Sequence, residues 1–203
     1  MASRAYNVVL LPDSSIANKA AALSKELHIH GVRFTLEDGL FYPHVSIYML
    51  QLETSILGKV EEALKRIAVN TKMFNLIALR YWQAMQFLDV EYSKPDALSS
   101  LQFDVVNALN PLRDGMREKD AERMKVSEGD KLYNFMTYGW DSIGTLYRPH
   151  LTITRFDEDQ ELRALQLPDF HDFTGLFDKV GLYEMGDNGT CVRRVMEFSL
   201  CEF

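Results

Sequence analysis

One short stretch occurs twice in this chain of 203 residues, and it decides how the rest is interpreted. The two copies read Phe41-Tyr42-Pro43-His44-Val45-Ser46-Ile47 and Tyr147-Arg148-Pro149-His150-Leu151-Thr152-Ile153. Each copy is an aromatic residue, any residue, proline, histidine, an aliphatic residue, a hydroxyl residue and isoleucine. A single His-x-Ser carries little information, because a histidine on a strand is most often a surface residue. Five matched features, at a separation suited to a duplicated half, indicate a repeated functional element.

Both copies are predicted to be β-strands with one aliphatic face and one polar face. Successive side chains of a strand point to opposite faces. His44 therefore shares a face with Ser46, and His150 shares a face with Thr152. The aliphatic residues between them can join a core. Two such polar faces across a groove would supply two proton-transfer groups and two hydroxyl donors.

Paired His-x-Ser/Thr motifs of this kind resemble the signature of the 2H phosphoesterase superfamily, which includes 2'-5' RNA ligase-like proteins and cyclic nucleotide phosphodiesterases. The motifs span residues 44–47 and 150–153. The resemblance covers most of the chain and implies an α+β fold. It implies a single domain, 1–203, of two lobes related by a pseudo-twofold axis. Each lobe would hold a mostly antiparallel sheet with helices outside, and the motif strands would line the groove between the lobes.

The two motifs suit the cleavage of a phosphodiester. Histidine serves as general base or general acid because its ordinary pKa lies near neutrality. We therefore expect His44 and His150 to exchange protons with the nucleophile and the leaving oxygen. Ser46 and Thr152 would donate hydrogen bonds to the phosphoryl oxygens. No metal or cofactor is required, and the sequence does not show which histidine is the base.

Residues beside the motifs are weaker candidates for substrate binding. Tyr48 and Thr154 share strand parity with the motif residues and would extend a polar floor. Arg155 falls on the opposite face under strict alternation, so a phosphate contact would need a bulge there. Tyr42 and Arg148 precede the two prolines and are expected at the rim.

The composition is that of an ordinary globular chain, with 47% apolar and 25% charged residues. No apolar run reaches the ~20 residues of a membrane span, and no secretory signal is recognised. Two cysteines do not suggest a disulfide scaffold, which favours a reducing cytoplasm. The net charge of −7 argues against a protein that tracks a long nucleic acid. We expect a monomer acting on a small cyclic phosphodiester, a nucleotide or an RNA end.

Periodicity predicts the remaining elements. A buried strand over 5–11 precedes a helix with a stripe of Ile16, Ala20, Leu23 and Leu27. The other predicted helices cover about 54–67, 95–110 and 157–166, and the other strands cover 73–82, 87–92, 173–185 and 191–200. Residues 113–131 alternate in charge and are expected to form a solvated helix or a mobile insertion.

Two other classes of protein stay open. A binding module would keep the groove and recognise a nucleotide or RNA end without turnover. A metal hydrolase would use the histidines as ligands, although no carboxylates lie at ligand spacing near either motif. RNA ligation would be the reverse of the leading reaction.

Overall fold

A computed structural model describes residues 3–37 and 40–202. Its strands are β1 (Ser3–Pro12), β2 (Val45–Glu53), β3 (Phe74–Leu76), β4 (Ala78–Ala84), β5 (Phe87–Tyr92), β6 (His150–Arg155), β7 (Gly175–Met185) and β8 (Cys191–Ser199). Its α-helices are α1 (Ser14–Glu26), α2 (Leu57–Asn70), α3 (Asp96–Leu109), α4 (Glu118–Met124) and α5 (Gly129–Tyr138). The α+β class expected from the resemblance is confirmed.

The strands form one antiparallel sheet with the motif strands at its centre. The order is β3-β7-β1-β2-β6-β5-β4, and β8 also pairs with β7. The central strands β2 and β6 share the single partner pair Val45 and Leu151. Outward from this pair, β1 and β7 flank β2 as β5 and β4 flank β6. The two predicted lobes are thus the two halves of a single sheet.

Helices α1, α2 and α3 pack against one face of this sheet, where the main core lies. Asp13 caps α1 by accepting a hydrogen bond of 3.0 Å from the Ile16 amide. Along β1, Val8 and Leu10 join the main core, which also contains the apolar stripes of α1, α2 and α3. The alternating residues Val9 and Leu11 form a second small cluster with Tyr183 and Cys191, beside Tyr42.

The apolar run over 73–82, predicted to be one strand, is two strands at opposite ends of the sheet. β3 pairs with β7, whereas β4 pairs with β5. The break falls at Ile77, whose carbonyl accepts from the Ser93 amide at 2.8 Å. The Ala78 amide donates to Thr174 Oγ1 at 3.0 Å. Ile77 therefore links the two edges, and the sheet must curl to bring them together.

The charged segment 113–131 is only partly solvated. It contains α4, in which Asp120 has 0% exposure. Arg117 and Arg123 both pair with this carboxylate. Arg123 also bonds Asp141 at 2.5 Å, beyond the C-terminal end of α5. A buried carboxylate needs such partners. The segment thus contains a helix, as predicted, but Asp120 is buried where the prediction had it solvated.

The last quarter of the chain matches its prediction except in one place. The hairpin of β7 and β8 is present, with a short 3₁₀ turn over Asp187–Gly189. The helix predicted over 157–166 is wrong, because only Leu162–Ala164 is helical and it forms a single 3₁₀ turn. Over residues 3–37 and 40–202, no helix combines the length and hydrophobicity needed to cross a bilayer.

Candidate functional site

The two motif histidines lie at the start of the two central strands. His44 immediately precedes β2, and His150 is the first residue of β6. The antiparallel register of Val45 with Leu151 puts His44 opposite Thr152 and Ser46 opposite His150. The two imidazoles are then diagonal neighbours, for which the usual spacing is about 7–8 Å. All four side chains lie on the sheet face opposite the main core that contains α1, α2 and α3.

Matching β-bulges fall at the last residue of each motif. Ser46 pairs with Val9 and Tyr48 pairs with Val8, so Ile47 is an extra residue in β2. In the same way β6 passes from a pair at Thr152 to a pair at Thr154 while β5 advances by one residue. A bulge breaks the alternation of side chains. The motif isoleucine and the residue after it therefore both face the core.

The bulges overturn the expected positions of Tyr48 and Thr154. Both side chains are buried, with 0% exposure. The Tyr48 hydroxyl donates to the Tyr138 carbonyl at 2.6 Å, and the Thr154 hydroxyl donates to the Phe34 carbonyl at 2.7 Å. The prediction that they extend the polar floor is wrong, because it assumed unbroken alternation.

The same bulge returns Arg155 to the motif face. Its guanidinium donates to Asn188 Oδ1 at 2.6 Å and to Gln86 Oε1 at 3.4 Å, and lies 4.8 Å from the Phe87 ring centroid. Asn188 belongs to the β7–β8 turn, and Gln86 belongs to the β4–β5 turn. Arg155 thus connects the two halves of the sheet at one end of the groove.

Both imidazoles are oriented by the same backbone contact. His44 Nδ1 lies 2.7 Å from the Tyr42 carbonyl, and His150 Nδ1 lies 2.8 Å from the Arg148 carbonyl. A carbonyl only accepts, so Nδ1 carries the proton in each ring. In the neutral imidazole Nε2 is then an acceptor. The residue two before each histidine therefore fixes its tautomer and ring direction.

His44 lies in neutral surroundings. Its Nε2 is 3.3 Å from Asn7 Nδ2 and 3.6 Å from Cys191 Sγ. Burial lowers the pKa of His44 to about 4, the Tyr42 carbonyl acts in the opposite direction, and the nearby His150 lowers it further. His44 is accordingly neutral at pH 7. Burial also raises the pKa of the Cys191 thiol, which makes it a poor nucleophile.

His150 lies beside a carboxylate instead. Its Nε2 is 4.0 Å from Asp89 Oδ2, and its side chain is 31% exposed. Asp89 also accepts from the Thr152 hydroxyl at 2.8 Å and from the Arg148 guanidinium at 3.0 Å. Arg148 continues over the Trp82 ring, with its Cζ 5.5 Å from the centroid.

Asn7 and Asp89 occupy corresponding places, and sequence reasoning missed both. Asn7 donates to Ser46 Oγ at 2.8 Å and contacts His44, much as Asp89 contacts Thr152 and His150. Each lies on the strand just outside a motif strand. The available signal was a lone polar residue between apolar ones in Tyr6-Asn7-Val8 and in Leu88-Asp89-Val90.

The two rim candidates hold different positions. The Tyr42 ring makes an edge contact with the Tyr183 ring at 4.9 Å between centroids, and the Tyr42 amide donates to the Cys191 carbonyl at 3.3 Å. Arg148 contacts Asp89 as described, and its Nη1 lies 3.9 Å from Glu91 Oε2. Of these two residues, Arg148 is the one that carries a charge, and its side chain is 34% exposed.

Metal ligation finds little support in the described part of the chain. Residues 3–37 and 40–202 contain no group of three or more His, Cys, Asp or Glu side chains able to hold an ion. His44 has a thiol neighbour and His150 has a carboxylate neighbour, so each half falls short of a three-ligand set. The donor set fits proton transfer better than ion binding.

The comparison with solved structures identifies the fold. Neither the family models nor the curated proteins give a match to this sequence. Among solved structures, Escherichia coli LigT complexed with NADP⁺ has a TM-score of 0.60 at 11% identity, covering 98% of this chain and 99% of LigT. The Thermus thermophilus protein TT0787 has a TM-score of 0.60 at 13% identity, covering 97% of each chain. A further phosphoesterase has a TM-score of 0.54 at 12% identity, covering 98% and 99%.

A structural match at 11–13% sequence identity establishes the fold but not the reaction. LigT and the phosphoesterase are 2H phosphoesterases, and they align with nearly the whole of this chain. The chain therefore has the fold of the 2H phosphoesterase superfamily, to which its two His-x-Ser/Thr motifs already pointed.

Proposed function

We propose that the protein is a metal-independent phosphodiesterase that hydrolyses a 2',3'-cyclic or 2'-5' linked phosphodiester of a nucleotide or an RNA end. One observation carries the proposal. Two histidines with matching backbone contacts lie diagonally across adjacent strands, each with a hydroxyl residue two positions further on. Two-histidine acid–base catalysis requires this pairing of proton-transfer groups around one phosphorus.

His44 is the general base in this proposal. The base must be neutral at the working pH, and a pKa of about 4 keeps His44 neutral. The Asn7 amide donor directed at Nε2 further favours the unprotonated nitrogen. In hydrolysis of a 2',3'-cyclic phosphate, Nε2 takes a proton from water as its oxygen bonds to phosphorus.

His150 is the general acid. Asp89 places a carboxylate 4.0 Å from its Nε2, which stabilises positive charge on the ring. The bond from phosphorus to one ribose oxygen breaks, and that oxygen takes the proton from His150. The products are a phosphomonoester and the released ribose hydroxyl, and one water molecule is consumed.

The phosphoryl oxygens would be held by three donors. Ser46 Oγ accepts from Asn7, which leaves its own proton for a phosphoryl oxygen. Thr152 bonds Asp89 and would turn its hydroxyl to the substrate. The partly exposed Arg148 guanidinium would supply a charged donor, and charged donors bind phosphate more strongly than neutral ones.

The substrate class follows from charge and from the structural neighbours. LigT has been crystallised with 3'-AMP, with ATP and with phosphate. A net charge of −7 disfavours a long polyanion and leaves a small or terminal phosphodiester. We therefore propose a mononucleotide or an RNA end as the substrate.

The test is turnover of cyclic mononucleotides, 2'-5' dinucleotides and short RNAs by wild type and two variants. His44→Ala and His150→Ala should each lower kcat by ~10²–10⁴-fold, the usual contribution of a general acid or base. The surface variant His28→Ala is the control. Near-wild-type turnover in either folded motif variant would exclude the mechanism. Wild-type nucleotide binding without turnover of any substrate would favour the binding module instead.

A further inference from the structure

Charged side chains extend outward from the second motif on the motif face of the sheet. Glu91 of β5 pairs in register with His150, and Arg80 of β4 pairs in register with Glu91. Residues directly opposite each other on adjacent antiparallel strands have side chains on the same face. An ion pair of 2.8 Å joins Arg80 to Glu91. With Arg148, these two residues form the charged set beside His150.

The Arg148 guanidinium lies between two carboxylates. Its Nη2 is 3.0 Å from Asp89 Oδ2, and its Nη1 is 3.9 Å from Glu91 Oε2. Arginine and a carboxylate often pair in a bidentate geometry, in which two nitrogens bind the two oxygens of one carboxylate. Here the guanidinium is divided between Asp89 and Glu91, so the charge of Glu91 opposes a bidentate pair with Asp89.

The division matters because Asp89 has two other contacts in the site. Its Oδ1 accepts from the Thr152 hydroxyl at 2.8 Å, and its Oδ2 lies 4.0 Å from His150 Nε2. A bidentate Arg148 would occupy both oxygens of Asp89 and compete with Thr152 and His150. It would also spend on Asp89 the donors that a phosphoryl oxygen needs.

Glu91 is held in place from its outer side. Arg80 Nε contacts Glu91 Oε2, the same oxygen that faces Arg148. Arg80 also lies over the Trp82 ring, with its Cζ 4.5 Å from the centroid, which is a cation–π contact. The Glu91 side chain is 14% exposed, whereas that of Arg80 is 55% exposed. Arg80 and Trp82 therefore keep a mostly buried carboxylate beside Arg148.

The first half of the sheet shows that the fold does not require these charges. In each half the outer strand pairs with the aliphatic residue of its motif, and the next residue of that strand is Leu11 in β1 and Glu91 in β5. The residue two before the motif histidine is Tyr42 in one half and Arg148 in the other. Leu11 is part of the small apolar cluster described above, and Tyr42 packs against it. Apolar contacts thus occupy the place that the charged set occupies beside His150, which indicates that the charges serve the site.

We propose that Glu91 is a positioning residue, which holds Arg148 in a divided contact and keeps its guanidinium available to the phosphoryl oxygens. The proposal rests on the proposed function, in which Arg148 is a charged donor to the phosphate. Glu91 touches neither the substrate nor the reacting atoms. It acts through Arg148, and it thereby leaves Asp89 free to contact Thr152 and His150.

The test is a double-mutant cycle of Glu91→Gln and Arg148→Ala, measured as kcat/KM for a nucleoside 2',3'-cyclic phosphate. Glu91→Gln keeps the shape of the side chain and removes its charge. It should lower kcat/KM by about tenfold or more, the usual cost of losing one contact to a charged group. It should cause no further loss in Arg148→Ala, because residues that act as a unit are not additive. An equal loss in both backgrounds, as a purely structural role would give, or no loss in either, would overturn the proposal.

Two further variants separate positioning from net charge and from stability. Glu161→Gln is the matched control, because it makes the same change in net charge and breaks an exposed ion pair of 2.8 Å with Arg163. It should leave kcat/KM unchanged. The double variant Arg80→Gln/Glu91→Gln keeps the net charge and leaves no unpaired Arg80, so it is measurable even where the single variant unfolds. It should reproduce the loss seen in Glu91→Gln, and wild-type kcat/KM in the folded double variant would contradict the proposal.

Calorimetric titration with 3'-AMP tests the same coupling without turnover. Glu91→Gln should weaken binding in the wild-type background and leave it unchanged in Arg148→Ala. This result supports the positioning role even when no cyclic phosphate is hydrolysed, an outcome that would overturn the phosphodiesterase alone. Hydrolysis by wild type with additive effects of the two substitutions would overturn the positioning role alone. A folded wild type that neither hydrolyses a cyclic phosphate nor binds 3'-AMP would overturn both.

Discussion

The neutral state of His44 predicts a measurable loss of stability in acid. In the folded chain the pKa of this imidazole is lowered from 6.5 to about 4, chiefly by burial. Between these two values the unfolded chain binds a proton that the folded chain does not. Stability therefore falls as the pH drops through this window, and the loss is complete below about pH 4.

The size of the loss follows from the two pKa values. With 6.5 in the unfolded chain and about 4 in the folded chain, the contribution at about pH 4.5 is a loss of roughly 2.5 kcal/mol relative to pH 8. A loss of this size is a large fraction of the roughly 5–15 kcal/mol that keeps a domain folded. It should be resolvable by denaturant titration.

The assay is urea unfolding of wild type and His44→Gln across this pH range. Other groups also titrate here, but their contributions cancel in the difference between the two proteins. The difference in unfolding free energy should shift by roughly 2.5 kcal/mol in favour of His44→Gln between pH 8 and about pH 4.5. His28→Gln, at an exposed turn after α1, is the matched control and should run parallel to wild type.

The same pKa governs the acid limb of the rate. If His44 is the base, kcat/KM should stay high down to about pH 5 and fall with an apparent pKa of about 4. Loss at high pH as the acid deprotonates would complete a bell whose two apparent constants belong to the coupled pair. Parallel unfolding curves for wild type and His44→Gln, together with an acid limb near the ordinary histidine pKa, would refute the reasoning.

Three further outcomes are expected from the site. Turnover should survive EDTA, because proton transfer by His44 and His150 needs no metal ion. If EDTA abolished turnover and an added divalent ion restored it, the metal hydrolase would be favoured. Ser46→Ala and Thr152→Ala should each lower kcat less than loss of a histidine, since one donor is removed while the proton path remains; a larger loss, with folding verified by circular dichroism, would contradict this order. Asp89→Asn should lower kcat by about tenfold or more, because it removes the carboxylate that contacts both Thr152 and His150; near-wild-type kcat would show that Asp89 only supports the fold.

The repeat was enough to predict the central part of the fold. Polar and aliphatic residues alternate within each copy, so the local sequence predicts which residues face the core and which face the groove. The bulges cannot be predicted from local sequence, because a bulge is an extra residue in one strand relative to its partner strand. Ile47 is extra only relative to β1, and β1 lies far away in the sequence. This is why the placement of Tyr48 was wrong while that of Ser46 agrees with the structure.

The break at Ile77 was hidden for a related reason. The run over 73–82 is mostly apolar, and an apolar run does not show which strand each half of it pairs with. β3 completes one edge of the sheet and β4 completes the other. Only the tertiary curl of the sheet separates them. Asp120 is a second case in which local sequence does not predict the tertiary environment. The alternating charges of its segment do not show that this carboxylate is buried between two arginines.

The asymmetry of the two histidines also arises outside the motifs. The two motifs are chemically equivalent, and each histidine makes the same backbone contact at Nδ1. The neighbouring strands make the two sites different, because β1 brings an amide to His44 and β5 brings a carboxylate to His150. Asn7 is 37 residues from its histidine, and Asp89 is 63 residues from Thr152. The two copies of the motif can therefore stay identical in chemistry while one histidine acts as base and the other as acid. One residue on each neighbouring strand, Asn7 or Asp89, sets the charge beside each imidazole.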